Sequence, residues 1–472
     1  MAATSGCIQA LQNAIPGGQI LLRGTAEYET VNSAYLSGLE SDIEPLLIFQ
    51  PKSKEEVALF VEVVKPFTGQ IKCAIRGAGQ QPLPGCANVR DGITLDLALL
   101  NSINLTDNNK VVQIGAGTRW GTVYDKLDDL GLSVTGSRNS LGGGLSFFSS
   151  NQGFIADNVV NYEVVLGSGA IVNANAQENA DLWVALRGGG NNLGIVTRFD
   201  FQTFQQGPIW GGNVFYLAGS FPGQIQALVT ELDKPQADNL THLMVSIGYS
   251  AMFGDNLTCL NQIYYTQAVE SIPPVLQPFA AMTPQILNTT SLKSVSAAAS
   301  EQAASGATAQ VRAVYMNLHV EADVATLQAI TDIYAAALAP VKSVSGGTFS
   351  LTFQPYPVSL LQKSDASGGN VLGLHASNGP IVSVLLLSFW PNKTEDAAVI
   401  GFMETALADM QENASAKGTL LPFIYMNYAF TQQDVIDSYG PQNKLKLELA
   451  SEKYDPAGLF QTGFPGGFKL FT

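Results

Sequence analysis

Three glycine-bearing turns, RGAGQQPLPG at 76–85, GSRNSLGGG at 136–144 and RGGGNNLGIVTRF at 187–199, each adjoin an apolar run that reads as a strand. Glycines with φ > 0 let successive backbone N–H groups converge on one concavity, which suits an anion without a lysine. None of the three has an established phosphate-loop spacing. GxxxxGK[ST] is absent, and Pro82, Phe147 and Leu193 stand where G-x-G-x-x-G needs its third glycine. A nucleotide-binding Rossmann unit is therefore not expected.

The surrounding chain reads as globular. At 472 residues it exceeds the usual span of one hydrophobic core, so two domains are expected. A share of 46% hydrophobic against 13% charged residues argues against disorder. The formal charge of −15 disfavours nucleic acid and anionic membrane surfaces as partners, leaving small neutral molecules. PIVSVLLLSFW is too short to span a bilayer and reads as a buried strand. The start, MAATSGCIQALQNAI, has no basic segment leading into an apolar core, so no signal peptide is visible. Six N-x-S/T triplets, at Asn104, Asn239, Asn256, Asn288, Asn392 and Asn413, nevertheless point to a secreted glycoprotein. Of the four cysteines, Cys7 and Cys73 are the expected disulfide pair, with buried free thiols as the alternative.

Periodicity places the elements. SKEEVALFVEVVKPF opens with a capping box, Ser53 and Glu56, and reads as an amphipathic helix ending at Pro66. IKCAIRG and GITLDL read as strands, and NYEVVLGSGAIVNA as a hairpin. WGTVYDKLDDLG predicts a helix with Trp120, Val123, Leu127 and Leu130 on its apolar face and Gly131 as its cap. Beyond residue 207 longer strands such as LTHLMVSIGYS and AQVRAVYMNLHV alternate with helices, the pattern of an α+β layer. The expected division is 1–207, completed by 415–472, and 208–414.

The motifs then carry a resemblance. IRGAGQQPLPGCANVRDGITLDL, IGAGTRWGTVYDKL, LGGGLSFFSSNQGFIADNVVNYEVVLGSGAIVNAN, DLWVALRGGGNNLGIVTRFDFQTF, and later NYA, SYG, KYDPAGLFQ and PGGFKL, resemble in order the FAD-linked oxidases of the berberine bridge type. The resemblance implies an α+β, two-domain PCMH-type FAD-binding fold whose second domain is an antiparallel sheet covered by helices, seven strands in that family. It implies an FAD-dependent oxidoreductase acting on a small molecule, a secondary metabolite of fungal type, with O2 as electron acceptor if the enzyme is an oxidase. Carried over, Arg76, Gly77, Ala78, Gly79, Gln80 and Gln81 would line the diphosphate and ring, with Gly142, Gly143 and Gly144 beside the diphosphate. Gly194, Ile195 and Val196 would meet the adenosine half, and Asn427 and Tyr428 would close the flavin.

Two departures stand out. The family's covalent histidine is replaced by Gln80, and no cysteine lies between Cys86 and Cys259, so any FAD is expected to be noncovalent. The second loop runs directly from Gly136-Ser137-Arg138-Asn139-Ser140 to Leu141-Gly142, shorter than the family pattern, with Arg138 available for a bidentate phosphate contact. That shortening leaves open a second reading, a flavin-independent cyclase or isomerase on the same scaffold that has lost FAD. For proton transfer, Tyr425 in IYMNYA is the candidate by motif position, against the ordinary role of a core tyrosine. His375, between glycines in GNVLGLHASNG, is the histidine expected to face the cleft. The histidines form no metal-ligand spacing, and Trp120 and Trp183 read as core.

Overall fold

The apolar runs become three main sheets in a computed structural model that describes residues 2–15, 18–137, 144–306 and 311–471. Arg138, Gly142 and Gly143, named above as cofactor ligands, lie outside the described residues. The first sheet, β1 (Ile20–Leu22), β2 (Leu47–Phe49), β3 (Cys73–Arg76) and β4 (Ile93–Asp96), runs in the order β1-β2-β4-β3, with β4 parallel to both β2 and β3. Parallel strands are covered on both faces. Accordingly the helix Lys54–Val64 packs Val57, Phe60, Val61 and Val64 into the core of this sheet. Ser53 caps that helix by accepting from the Glu56 N–H, and the chain leaves it through a short turn holding Pro66, as the capping box predicts.

The second sheet is antiparallel, in the order β5-β6-β10-β8-β9: β5 (Ile103–Thr106), β6 (Val111–Gly115), β8 (Val159–Val165), β9 (Ile171–Asn175) and β10 (Ile195–Gln202). A separate ribbon pairs β7 (Leu132–Ser133) with β11 (Phe204–Gln205). β8 and β9 are the two arms of the predicted hairpin. Trp120, Val123 and Leu127 are buried on the helix Trp120–Asp128, and Gly131 adopts φ +64° just past its end. Leu130, expected on the same face, is 48% exposed because the helix has already ended.

The third sheet has nine strands, two more than the resemblance implies, because short strands pair at its margins. β12 (Ile209–Leu217), β13 (Thr241–Ser250), β14 (Leu257–Tyr265), β15 (Gln285–Asn288), β16 (Ser291–Lys293), β17 (Arg312–Glu321), β18 (Thr348–Tyr356), β19 (Ile381–Trp390) and β20 (Leu420–Leu421) follow the order β15-β12-β14-β13-β18-β19-β17-β20, with β16 also on β12. Every pairing is antiparallel. One face of the six long strands, including Val245, Ile247, Leu351, Val384 and Leu386, is buried with residues of the helices Phe221–Leu232, Val324–Ala337 and Asp396–Ala416. The period of two then turns the intervening residues to the opposite face, toward a cavity.

The C-terminal segment returns to the first sheet, where Leu459, Phe460 and Phe464 share a core with Leu47, Phe60 and Ile93. Cys7 and Cys73 lie in this core as well. They are free thiols, as are Cys86 and Cys259, so the expected disulfide is not formed and both residues pack as small apolar groups. No helix among the described residues is long and apolar enough to cross a membrane.

Candidate active site

A cavity of about 810 Å³ lies between the glycine turns and the free face of the nine-stranded sheet. Its near wall is built at the end of β3. Ile75 faces the cavity, and the chain then turns through Gly77, Ala78, Gly79, Gln80 and Gln81, all of which line it. Gly79 adopts φ +67°, and the N–H groups of Gly77, Ala78 and Gly79 find no acceptor among the described residues. Three amides left to an outside acceptor are costly unless a ligand or water meets them.

Arg76, grouped with this loop in the sequence, does not line the cavity. Adjacent strand residues point to opposite faces, so Arg76 lies behind the turn. Its guanidinium donates to Val31 O at 2.7 Å and Ala34 O at 2.9 Å, stacks 4.0 Å from the Tyr35 ring, and underlies Gly79. It braces the loop.

The second turn is rooted at the same wall. Ser137 bridges Ser146 antiparallel, Tyr124 Oη donates to Ser137 O at 3.2 Å, and Ser137, Gly144 and Leu145 reach the cavity. At Gly144 a Cβ would lie 1.7 Å from Tyr425 Oη, so glycine is required for the tyrosine to sit there. In the third turn Gly190, with φ +61°, and Asn191 line the cavity. Gly194, Ile195 and Val196 do not. Ile195 and Val196 pair with Val165 and Val164 inside the second sheet, and a Cβ at Gly194 would stand 2.5 Å from Val164 Cγ1, so this glycine serves strand packing.

From the C-terminal side come Tyr425, Asn427 and Tyr428, in and beside the turn Met426–Tyr428. Asn427 Nδ2 donates to Tyr425 Oη at 2.8 Å. Tyr428 Oη lies 3.2 Å from Gln354 Nε2 and 3.4 Å from Gln354 Oε1, which ties the turn to β18. The two rings meet edge to face at 4.8 Å. Gln81 Nε2 donates to Met426 O, joining this turn to the first loop. Gly467 and Phe468 of the PGGFKL motif complete the wall. Sequence reasoning noted the motifs holding Gly190, Asn191, Gly467 and Phe468 without naming those residues, and it missed Gln354, whose strand gives no sign of which face is inward.

His375 is not brought to the cavity. Its side chain is 63% exposed and its Nδ1 lies 2.8 Å from Asp365 Oδ1, at the N-cap of a surface turn. The flanking Gly373 and Gly379, at φ +71° and +74°, steer the chain outward rather than into the cleft. His319 is a core residue whose burial pulls it down to about 3, and His242 is buried beside Phe147 and Tyr264. Among the described residues no group of His, Cys, Asp and Glu is arranged to hold a metal.

Residues 45–175 match the model of the FAD binding domain family. The FAD-dependent monooxygenase tpcD of Cochliobolus heterostrophus is 33% identical over 467 residues, covering 94% of this chain and 88% of that protein. The chain belongs to the family of FAD-dependent oxidoreductases that this relative represents. The FAD-dependent monooxygenase FUP4 of Fusarium proliferatum is 34% identical over 93% of this chain and 87% of its own. Among solved structures, the berberine bridge enzyme-like protein 1 of Physcomitrella patens covers 99% of both chains at a TM-score of 0.78 and 18% identity. The xylooligosaccharide oxidase of Myceliophthora thermophila C1 covers 98% and 99% at a TM-score of 0.78 and 19% identity.

The cavity fits the family's cofactor. Three amides with no acceptor among the described residues and positive-φ glycines at 79, 190 and 467 suit a diphosphate, and the tyrosine pair with apolar neighbours suits a flat ring. Among the described lining residues there is no Lys, Arg, Asp, Glu or His, so what these residues offer an anion is their backbone dipoles.

Proposed function

We propose that the enzyme holds FAD noncovalently and uses it to oxidise a small neutral molecule bound between the flavin and the nine-stranded sheet. The observation that carries this reading is the turn at Gly77, Ala78 and Gly79, which lines the cavity beside Gln80 and whose N–H groups find no acceptor among the described residues. A glutamine amide has no nucleophilic nitrogen with which to bond a flavin methyl group. Cys86 also lines the cavity, but burial, aided by Glu40, pushes its thiol up to about 12, so it stays protonated and unreactive.

FAD, when bound, would supply a two-electron acceptor, with O2 taking the electrons if the enzyme is an oxidase. The chain's part is to orient the substrate and take the proton released as the substrate is oxidised. Tyr425 is suited to this in its phenolate form, which the Asn427 amide N–H aimed at the phenol oxygen would stabilise and which becomes the neutral phenol as it takes the proton. Tyr428, fixed by Gln354, holds the neighbouring edge of the pocket. Tyr425→Phe is expected to lower turnover by about 100-fold or more while changing ligand affinity less than about threefold. Unchanged turnover removes Tyr425 from the mechanism.

Five of the six sequon asparagines, Asn104, Asn239, Asn256, Asn288 and Asn392, are exposed, as glycosylation of an exported protein requires, whereas Asn413 is half-buried. A mass shift on enzymatic deglycosylation of the protein secreted from its native host tests this.

A further inference from the structure

We infer that the substrate is an uncharged, largely apolar ring compound whose oxygen function is held by Ser246 and Thr352. This rests on the flavoenzyme reading above and specifies the substrate class for that site. The cross-strand register sets the pattern of the sheet wall. Phe215, Leu260, Ser246, Thr352 and Leu385 form one row across β12, β14, β13, β18 and β19. Thr258, Gly248, Ser350, Leu387 and Tyr315 form the next, across β14, β13, β18, β19 and β17. Hydroxyls thus gather on β13 and β18, flanked in the first row by Phe215, Leu260 and Leu385 and in the second by Leu387 and Tyr315 on one side and Thr258 on the other.

Ser246 Oγ and Thr352 Oγ1 are 2.8 Å apart, and Ser350 Oγ stands 3.4 Å from Thr352 Oγ1. Ser246 and Thr352 each line the cavity although they are only 7% and 2% exposed. Their mutual bond uses one of two hydroxyl protons, so the pair can still donate to and accept from a ligand oxygen. Gly248, in the second row, has no room for a side chain, because a Cβ there would stand 2.3 Å from Phe349 O.

Two substrate classes are disfavoured by this wall. A carboxylate or ammonium would be desolvated with no opposite charge among the described lining residues, since Lys469, whose ammonium donates to Asn191 Oδ1 and Phe460 O, does not line the cavity. A sugar would press several hydroxyls against Phe215, Leu260, Leu385 and Leu387, and each unmade hydrogen bond weakens binding by about tenfold. A flat apolar body with one oxygen matches both the flanks and the central hydroxyls.

The test is calorimetric titration of the full-length protein, its flavin content first determined from visible absorbance, with 2-naphthol, 2-naphthoate and cellobiose. The naphthol is expected to bind at least tenfold more tightly than either of the others. In a protein carrying both Ser246→Ala and Thr352→Val, affinity for 2-naphthol should fall about tenfold while that for naphthalene is unchanged. Equal or tighter binding of cellobiose or naphthoate overturns the inference, as does binding of no probe or an unaltered naphthol affinity in the variant. Absence of flavin counts against the cofactor reading alone, because the titration reports the wall without turnover.

Discussion

Gln80 lines the cavity in the turn after β3, and a single substitution there probes its distance from the cofactor. Gln80→His is expected to leave flavin attached to acid-precipitated protein, whereas complete extraction would place the side chain away from the flavin methyl groups. Glu40 offers a second probe. Its carboxylate accepts from the N–H groups of Gly85 at 2.9 Å and Ala87 at 2.8 Å, and burial pushes it up to about 7. A carboxyl raised in the folded state binds its proton more tightly there than in the unfolded chain, so its contribution to stability declines as pH rises from about 4.5 to about 7. Relative to Glu40→Gln, the native protein should therefore lose up to about 3 kcal/mol between pH 5 and pH 8 in denaturant titrations. Residue roles were the least legible part of the sequence. Tyr425 and the 77–81 turn were found through motif position, but Arg76 and His375 have the right chemistry and the wrong direction, which depends on strand parity and on neighbours distant in the chain.

At the scale of elements, the local signals were strong where they were purely local. The Ser53 cap, the hairpin of β8 and β9 and the long strands of the third sheet follow from capping chemistry, turn glycines and period-two apolarity. The inward face of each third-sheet strand was not legible, because both faces carry many apolar residues, one against helices and one against the cavity. Between elements, Arg312 on β17 joins two segments far apart in sequence. It pairs with Asp396, at the start of the helix Asp396–Ala416, and with Asp42 at 3.0 Å. Arg312 is only 7% exposed, so Arg312→Ala would leave the Asp396 carboxylate without its main counterion. A loss of about 3 kcal/mol is expected in urea unfolding. A change below about 0.5 kcal/mol would show the joint to be dispensable.

For the whole molecule, three glycine turns and a returning C-terminal segment converge on one cavity that carries no charge among its described lining residues, although the chain as a whole has a formal net charge of −15. Backbone dipoles offer an acidic protein a way to accept an anionic cofactor while the described residues of the substrate wall stay uncharged. The most direct measurement is the flavin content of the purified protein before and after acid precipitation, with reconstitution by added FAD. The account predicts yellow protein that retains FAD through gel filtration, releases all of it on precipitation and takes it up again in a one-to-one complex. Colourless protein that cannot be loaded with FAD, or flavin that stays bonded to the precipitate, would contradict it.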